Sequence, residues 1–283
     1  MADTHRLKLD VVGHWTEIKH EIIREYATAY SKILTAQTKP KLHHVYIDAF
    51  AGAGIHLSKS TGEVIDGSPL IATATQPPFR EYHFIDLNEQ RVENLRGLLA
   101  EHPTARVHHG DCNKVMLETV LPQVRYDQYR RGLCLLDPYG LALDWEVIRK
   151  AGEMKSIDLF LNFPTADMNR NVFWNNHAGV DARDIARMNA FWGDDSWRKV
   201  VYKPVENLFG VDDEKITNMN ETVAAAFLER LKSVAGFAWV PKPMPMRNNN
   251  GAIVYYLFFA SQKEPANKII THLFDKYRNL GAV

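Results

Sequence analysis

The chain has 283 residues, of which 46% are apolar and 24% charged, the balance of an ordinary globular protein and not of a fibrous, solenoid or disordered one. Lysine plus arginine equals aspartate plus glutamate at 34 each, so no overall field draws in nucleic acid or an anionic membrane, and polyanion binding needs a local patch. Two cysteines, Cys112 and Cys134, make neither a disulfide framework nor a thiolate zinc site. With no run of about 18 apolar residues and no signal-peptide core, a soluble cytoplasmic protein without membrane association is expected.

Residues 15–34, WTEIKHEIIREYATAYSKIL, put Trp15, Ile18, Ile22, Tyr26, Ala29, Ile33 and Leu34 on one face with the charged residues elsewhere, which predicts an amphipathic helix. Pro40 breaks it, and Val45–Ile47 read as a buried strand ending at Asp48. A long loop with turns at Thr61-Gly62 and Asp66-Gly67 follows, then a helix over 69–75 with Ser68 as its cap and Pro69 in its first turn. Strands at 82–86, 105–109, 132–137 and 157–163 alternate with helices at 88–99, 113–120 and 144–151. This rhythm predicts an α/β fold with a mostly parallel sheet and helices on both faces. Residues 165–215 show no obvious strand and read as a helical insert. A helix at 220–234, a strand near GFAWV, a proline-rich loop PKPMPMRNNNG, the apolar run 252–261 and a helix at 265–279 complete the chain. The expected organisation is an N-terminal unit 1–42, a ligand-binding domain of 43–164 and 216–283, and the insert 165–215.

In a parallel sheet, ligands sit beyond the carboxyl ends of the strands. Four consecutive strand ends carry an acid: Asp48, Asp86, Asp111 just past Gly110, and Asp137. A dinucleotide fingerprint would need a third glycine and an immediate helix for the pyrophosphate. Here DAFAGAGIHL offers only Gly52 and Gly54, with the helix delayed to Ser68. S-adenosylmethionine, with a cationic sulfonium and ammonium and no phosphate, suits the acids better: Asp48 with the glycines at the methionine end, Asp86 at the ribose and Asp111 at the adenine amine.

In order, YIDAFAGAG, FIDLNEQRVENL, HGDCN and LLDPYG resemble motifs I to IV of class I S-adenosylmethionine-dependent methyltransferases. The stretches WTEIKH, YIDAFAG, GSPLIA and FID resemble, more closely, the three-Cys-motif partner family of methyltransferases. The resemblance covers about the first 165 residues. It implies a Rossmann-like fold with a seven-stranded, mostly parallel sheet, S-adenosylmethionine as cofactor, and cofactor contacts from Asp48, Phe50, Gly52, Gly54, Asp86, Leu87, Asp111, Cys112 and Asp137. The loop 55–67 lengthens the interval between Gly54 and Asp86 and is expected to cover the cofactor, with its GEVIDG turn, 62–67, as a lid.

DPYG stands where amino-methyltransferases that resemble this chain carry aspartate, asparagine or serine followed by two prolines and an aromatic residue. There the Asp137 carboxylate and Pro138 carbonyl would accept hydrogen bonds from an amine and Tyr139 would stack on a planar target, making these three the catalytic residues. The departures are the single proline and Gly140. Asn162-Phe163-Pro164 could line the acceptor pocket. In the insert, Arg170, Arg183, Arg187, Arg198 and Lys199 interleave with Phe173, Trp174, Phe191, Trp192 and Trp197, as a nucleic-acid surface or a helical subdomain with an aromatic core would. The acceptor is then RNA or DNA, or else a small molecule, peptide or protein, and a non-catalytic partner protein is the alternative of another class. His43-His44 and His108-His109 alternate across strands, which argues against a metal site.

Overall fold

The protein is described by a computed structural model covering residues 9–176, 179–207, 210–248 and 250–278. The first eight residues of the expected N-terminal unit, position 249 of the asparagine tract and position 279 of the expected last helix lie outside the described residues.

In chain order the elements are β1 (Val11–Val12), α1 (His14–Ala36), β2 (His43–Asp48), β3 (Ile55–Ser58), β4 (Val64–Asp66), α2 (Ser68–Thr73), β5 (Glu81–Asp86), α3 (Glu89–Leu98) and β6 (Ala105–His109). Next come α4 (Cys112–Val115), which runs on as a π turn over Met116–Val120, then β7 (Arg130–Leu136), α5 (Trp145–Met154), β8 (Ile157–Phe163), α6 (Thr165–Asn171), α7 (Ala182–Trp192) and α8 (Trp197–Val201). The chain continues through β9 (Tyr202–Asn207), β10 (Gly210–Lys215), α9 (Met219–Ser233), β11 (Met244–Arg247), β12 (Ile253–Ala260) and α10 (Glu264–Arg278).

The main sheet has seven strands in the order β11-β12-β8-β7-β2-β5-β6. Strands β8, β7, β2, β5 and β6 are mutually parallel, and β12 runs antiparallel to β8 and β11. The central strands β2, β7 and β8 are buried on both faces, which is why they read as near-continuous apolar runs. One face packs against α1, α2 and α10 through Ile22, Tyr26, Phe160, Phe259 and Phe274. The other packs against α5, α7 and α9 through Ile47, Ile148, Phe163, Phe191 and Phe227.

Three expectations need correction. The stretch 55–67 is not a loop: β3 and β4 form an antiparallel hairpin, and β1 adds to β3 in parallel. The insert contains the hairpin β9–β10, whose charged sequence hides it from an apolar pattern search. GFAWV makes only an isolated bridge between Trp239 and Ser261, and the edge strand on this side of the sheet is β11 within the proline-rich stretch. Pro245 is tolerated there because an edge strand leaves one row of N–H groups unused. The insert's aromatic residues, by contrast, follow the expected alternative of a subdomain with an aromatic core: Phe173, Phe191, Trp192 and Trp197 are core, and only Trp174 among those named is exposed.

Candidate functional site

From β2 the chain moves outward to β5 and β6, then crosses back to β7 and β8 on the other side, so strand order reverses between β2 and β7. A crevice opens beyond the carboxyl ends at such a point. Two adjoining cavities of about 360 and about 480 Å³ lie there, and Phe50 and Tyr139 line both.

The smaller cavity is walled by Leu87, Cys112 and Ala142, with the carboxylates of Asp86 and Asp111. At the end of β5, Asp86 is positioned by two backbone N–H groups, from Gly52 at 2.9 Å and Asn88 at 2.8 Å. Asp111 caps α4 by accepting from the Lys114 N–H at 3.1 Å, so it has a structural use besides facing the cavity. Burial, with Asp111 and Asp144 nearby, pushes the Cys112 thiol up to about 12, which makes it an inert wall.

The turn after β2 carries φ +64° at Gly52 and φ +86° at Gly54. A Cβ on Gly54 would lie 2.8 Å from Leu95 Cδ1, so this glycine seats the turn on α3. A Cβ on Gly52 would meet nothing within 4 Å, and Gly52 lines the larger cavity, so its bare backbone leaves room for a ligand. Asp48 is fully buried and lines neither cavity. Its Oδ1 accepts from the Phe50 N–H at 3.2 Å, while Oδ2 has no partner. Burial pushes this carboxyl up to about 7 against the opposing effect of Ser68 and Phe50.

In the larger cavity Asp137 and Lys19 form an ion pair, and Asn162 Nδ2 donates to Asp137 Oδ1 at 2.7 Å. Lys19 is only 4% exposed. Burial works against its charge, but Asp137, with Tyr255 and Asp48, holds the ammonium well above the ordinary lysine range. Burial likewise works against the Asp137 carboxylate, yet Lys19 and Asn162 hold it below the ordinary range, so it is ionised. His20 stacks on His56 with ring centroids 5.6 Å apart. Burial and the adjacent Lys19 push His20 down to about 3, so it is neutral. Asn162 Oδ1, Asp167 Oδ2 and His56 Nδ1 are buried without a hydrogen-bond partner. Orphaned buried polar atoms of this kind mark a place where a ligand or water completes the network.

Tyr139 is 57% exposed and fixed by three contacts. Its hydroxyl accepts from Arg91 at 2.7 Å and donates to Asp10 at 3.2 Å, and the Arg91 guanidinium lies 5.2 Å from its ring centroid. Asp10 and Arg91 are themselves joined by two bonds of 2.9 and 3.1 Å, so the segment before β1 is tied across the lip of the site. Gly140 has φ +57°, and a Cβ there would sit 2.7 Å from Asp167 Oδ2, which accounts for the glycine after Tyr139.

The structure thus brings Phe50, Gly52, Asp86, Leu87, Asp111, Cys112, Asp137, Pro138 and Tyr139 to the two cavities, and leaves Asp48 and Gly54 behind the walls. Of the stretch 55–67, expected to cover the cofactor, His56 lines the larger cavity; residues 62–67, its expected lid, line neither, and the hairpin is held to α1 by the 2.8 Å bond between Ser58 and Glu17. Sequence reasoning missed Lys19, His20, Arg91 and Asp10. A signal for Lys19 was present: it lies four residues from Trp15 and Ile23 and seven from Tyr26, on the stripe that α1 buries.

No protein-family model matches the chain, and no curated protein matches it in sequence. Among solved structures it is similar to protein LPL1258 of Legionella pneumophila, with a TM-score of 0.55 and 12% identity over 95% of this chain and 94% of that one. Weaker similarity is found to the DszA carbon methyltransferase, at TM-score 0.45 and 12% identity over 87% and 54% of the two chains. The M. jannaschii protein TYW2, solved with AdoMet, gives a TM-score of 0.36 at 9% identity over 87% and 74%. The similarity to the Legionella protein spans nearly the whole of both chains and is one of fold.

Proposed function

We propose that the chain is an S-adenosylmethionine-dependent methyltransferase of the three-Cys-motif partner kind that methylates an amine nitrogen, most naturally of a nucleic-acid base. The observation that carries this reading is an ionised Asp137 in the larger cavity, two residues from a Tyr139 that lines both. Four stretches far apart in sequence supply Lys19, Gly52, Ser68 and Asp86 to the two cavities, and these are the stretches that carry the family resemblance. The residues fit the cofactor: Asp86 and Asp111 offer acceptors to ribose hydroxyls and an adenine amine, Leu87, Phe50 and Cys112 offer apolar walls, and Gly52 allows close backbone approach. When bound, S-adenosylmethionine supplies an electrophilic methyl group on a sulfonium. Asp137, kept ionised by Lys19, accepts a hydrogen bond from the incoming amine, and the Pro138 carbonyl accepts a second. Together they direct the nitrogen lone pair and stabilise the charge that develops on it. Lys19 acts through Asp137 and is a positioning residue.

Methylation of a small molecule, peptide or protein is favoured by one observation, the burial of Phe173, Phe191, Trp192 and Trp197, which leaves no aromatic platform among the described residues of the insert beyond Trp174. Calorimetric titration with S-adenosylmethionine and transfer of labelled methyl groups into cell fractions test the proposal. Absence of cofactor binding refutes it, and full transfer by Asp137→Ala refutes the assigned catalytic loop. A salt-sensitive affinity for RNA or DNA separates the two acceptor classes.

A further inference from the structure

A second large cavity lies at the opposite end of the sheet, beside the amino ends of β7 and β8. It measures about 480 Å³ and is a groove between α1 and the start of α10. Its walls are Tyr26, Tyr30, Ile33 and Leu34 of α1, Tyr126 and Tyr129 before β7, and Ala266 and Ile269 of α10. Ile33, Tyr126 and Tyr129 are 51%, 44% and 52% exposed, so three large apolar side chains stand in solvent along one groove. Isolated exposed apolar residues are commonplace, but a contiguous concave patch is not.

Charge decides what this groove can hold. Three cations line it, Arg131, Lys155 and Lys263, and none has an acid within 4.0 Å among the described residues. Arg131 commits one nitrogen to the carbonyls of Tyr126 and Arg130 and lies 3.7 Å over the Tyr126 ring, with Lys263 5.7 Å from the same ring. The one acid of the groove, Asp158, is already bonded: its Oδ2 accepts from the Tyr26 hydroxyl at 2.7 Å and its Oδ1 from Ser261 at 2.5 Å. Its charge is felt by Lys263 but forms no ion pair with it. The groove therefore combines apolar walls with a net positive charge, three cations against one carboxylate whose oxygens are already hydrogen-bonded. Pockets of about 300–1,000 Å³ with apolar linings and a few convergent polar groups are the ordinary form of a small-molecule site.

We propose that this groove binds an amphipathic anion, a small molecule with an aliphatic or aromatic body and a carboxylate or similar monoanionic head, independently of the methyl-transfer cleft. The body lies against Tyr30, Ile33, Leu34 and Ile269, and the head meets Lys155 and Lys263.

Calorimetric titration of the full chain with decanoate, decan-1-ol and decyltrimethylammonium tests this, since the three probes share a body and differ in charge. Decanoate is expected to bind roughly tenfold or more tightly than decanol, with the cationic probe weakest and the decanoate affinity falling as salt rises. The double variant Lys155→Asn, Lys263→Gln, in which asparagine suits the left-handed backbone of residue 155 (φ +56°), is expected to bind decanoate roughly 3- to 30-fold more weakly and decanol unchanged. Ile33→Glu, at an exposed helical position, is expected to weaken decanoate and strengthen the cationic probe. An unchanged melting temperature shows that these variants fold. Decanoate affinity equal to or below that of decanol, no binding at millimolar decanoate, or full decanoate affinity in the double variant overturns the proposal.

Discussion

Replacing Lys19 by methionine removes the ammonium from a buried ion pair while keeping an unbranched apolar stem. Breaking such a pair on one side costs about 3–5 kcal/mol because the remaining charge is left without a partner. Here the Asp137 side chain keeps 28% exposure and the hydrogen bond from Asn162, so the cost falls to or just below the bottom of that range, about 2–3 kcal/mol. A chain of this size loses about 2 °C of melting temperature per kcal/mol, so the midpoint should fall by about 4–6 °C. The double variant Lys19→Met, Asp137→Asn removes both charges and lets the introduced amide pair with Asn162. It should recover all but about 1 kcal/mol. Asp137→Asn alone leaves the 4%-exposed Lys19 ammonium without its partner, at about 3 kcal/mol or more, so a double-mutant cycle read by urea denaturation should give a coupling of about 4 kcal/mol or more. A single-variant cost below about 1 kcal/mol, or a double variant showing the sum of the two single losses, would refute the claim that Lys19 is retained for its bond to Asp137.

Gly152 lies where a Cβ would stand 2.0 Å from the Ala235 carbonyl oxygen, so Gly152→Ala should cost about 3 kcal/mol or more in urea denaturation, and a loss under about 1 kcal/mol would contradict the packing of α5 on that turn. Both Gly52→Ala and Gly54→Ala meet a left-handed backbone worth about 1–2 kcal/mol, but only the second also crowds Leu95, so it should be the less stable by about 1 kcal/mol. Gly52→Ala should instead show the larger loss of S-adenosylmethionine affinity in calorimetry. Burial pushes Asp158 up to about 6 from 3.8, so the folded state holds its proton more tightly than the unfolded chain does. Stability from this group is therefore greatest below about pH 4, falls as pH rises through about 6 and is flat above, a total of roughly 3 kcal/mol. Asp158→Asn should reduce the fall in stability by that amount in denaturation curves taken from about pH 4 to 8, leaving the part that the raised Asp48 carboxyl contributes.

The alternation of strands and helices was legible because β2, β7 and β8 are covered on both faces and so carry runs of apolar residues that no loop would need. The strands that escaped notice, β1, β3, β4, β9, β10 and β11, are short or at edges, where pairing and not burial defines the element. The acids were legible for a related reason: a carboxylate at the last turn of a buried strand, as at Asp86, stands out against the apolar run before it. Lys19 and His20 were not. In an amphipathic pattern a charged residue is assigned to solvent, and burying Lys19 makes sense only once Asp137, 118 residues away, is known to face it. The place of Lys19 on the stripe that α1 buries is a local sign of burial, but no local periodicity says what it pairs with.

That same pairing changes the standing of the N-terminal segment, which the sequence alone suggests as a unit of its own. α1 contributes Ile18, Ile22, Ile23, Tyr26 and Tyr30 to the core on one face of the sheet, each worth about 1.5–3 kcal/mol when buried. Their sum, about 8–15 kcal/mol, is comparable with the whole stability of a typical domain, about 5–15 kcal/mol. Removing the helix would also leave Asp137 without Lys19, Asp158 without the Tyr26 hydroxyl, and His44 without Ser31, which lies 2.9 Å from its ring nitrogen. A chain of residues 37–283 should therefore show no cooperative thermal transition and should bind a hydrophobic dye as an opened core does. If it melts cooperatively near the parent's midpoint, then α1 is an appendage, and the cation it places beside Asp137 is not part of the site's architecture.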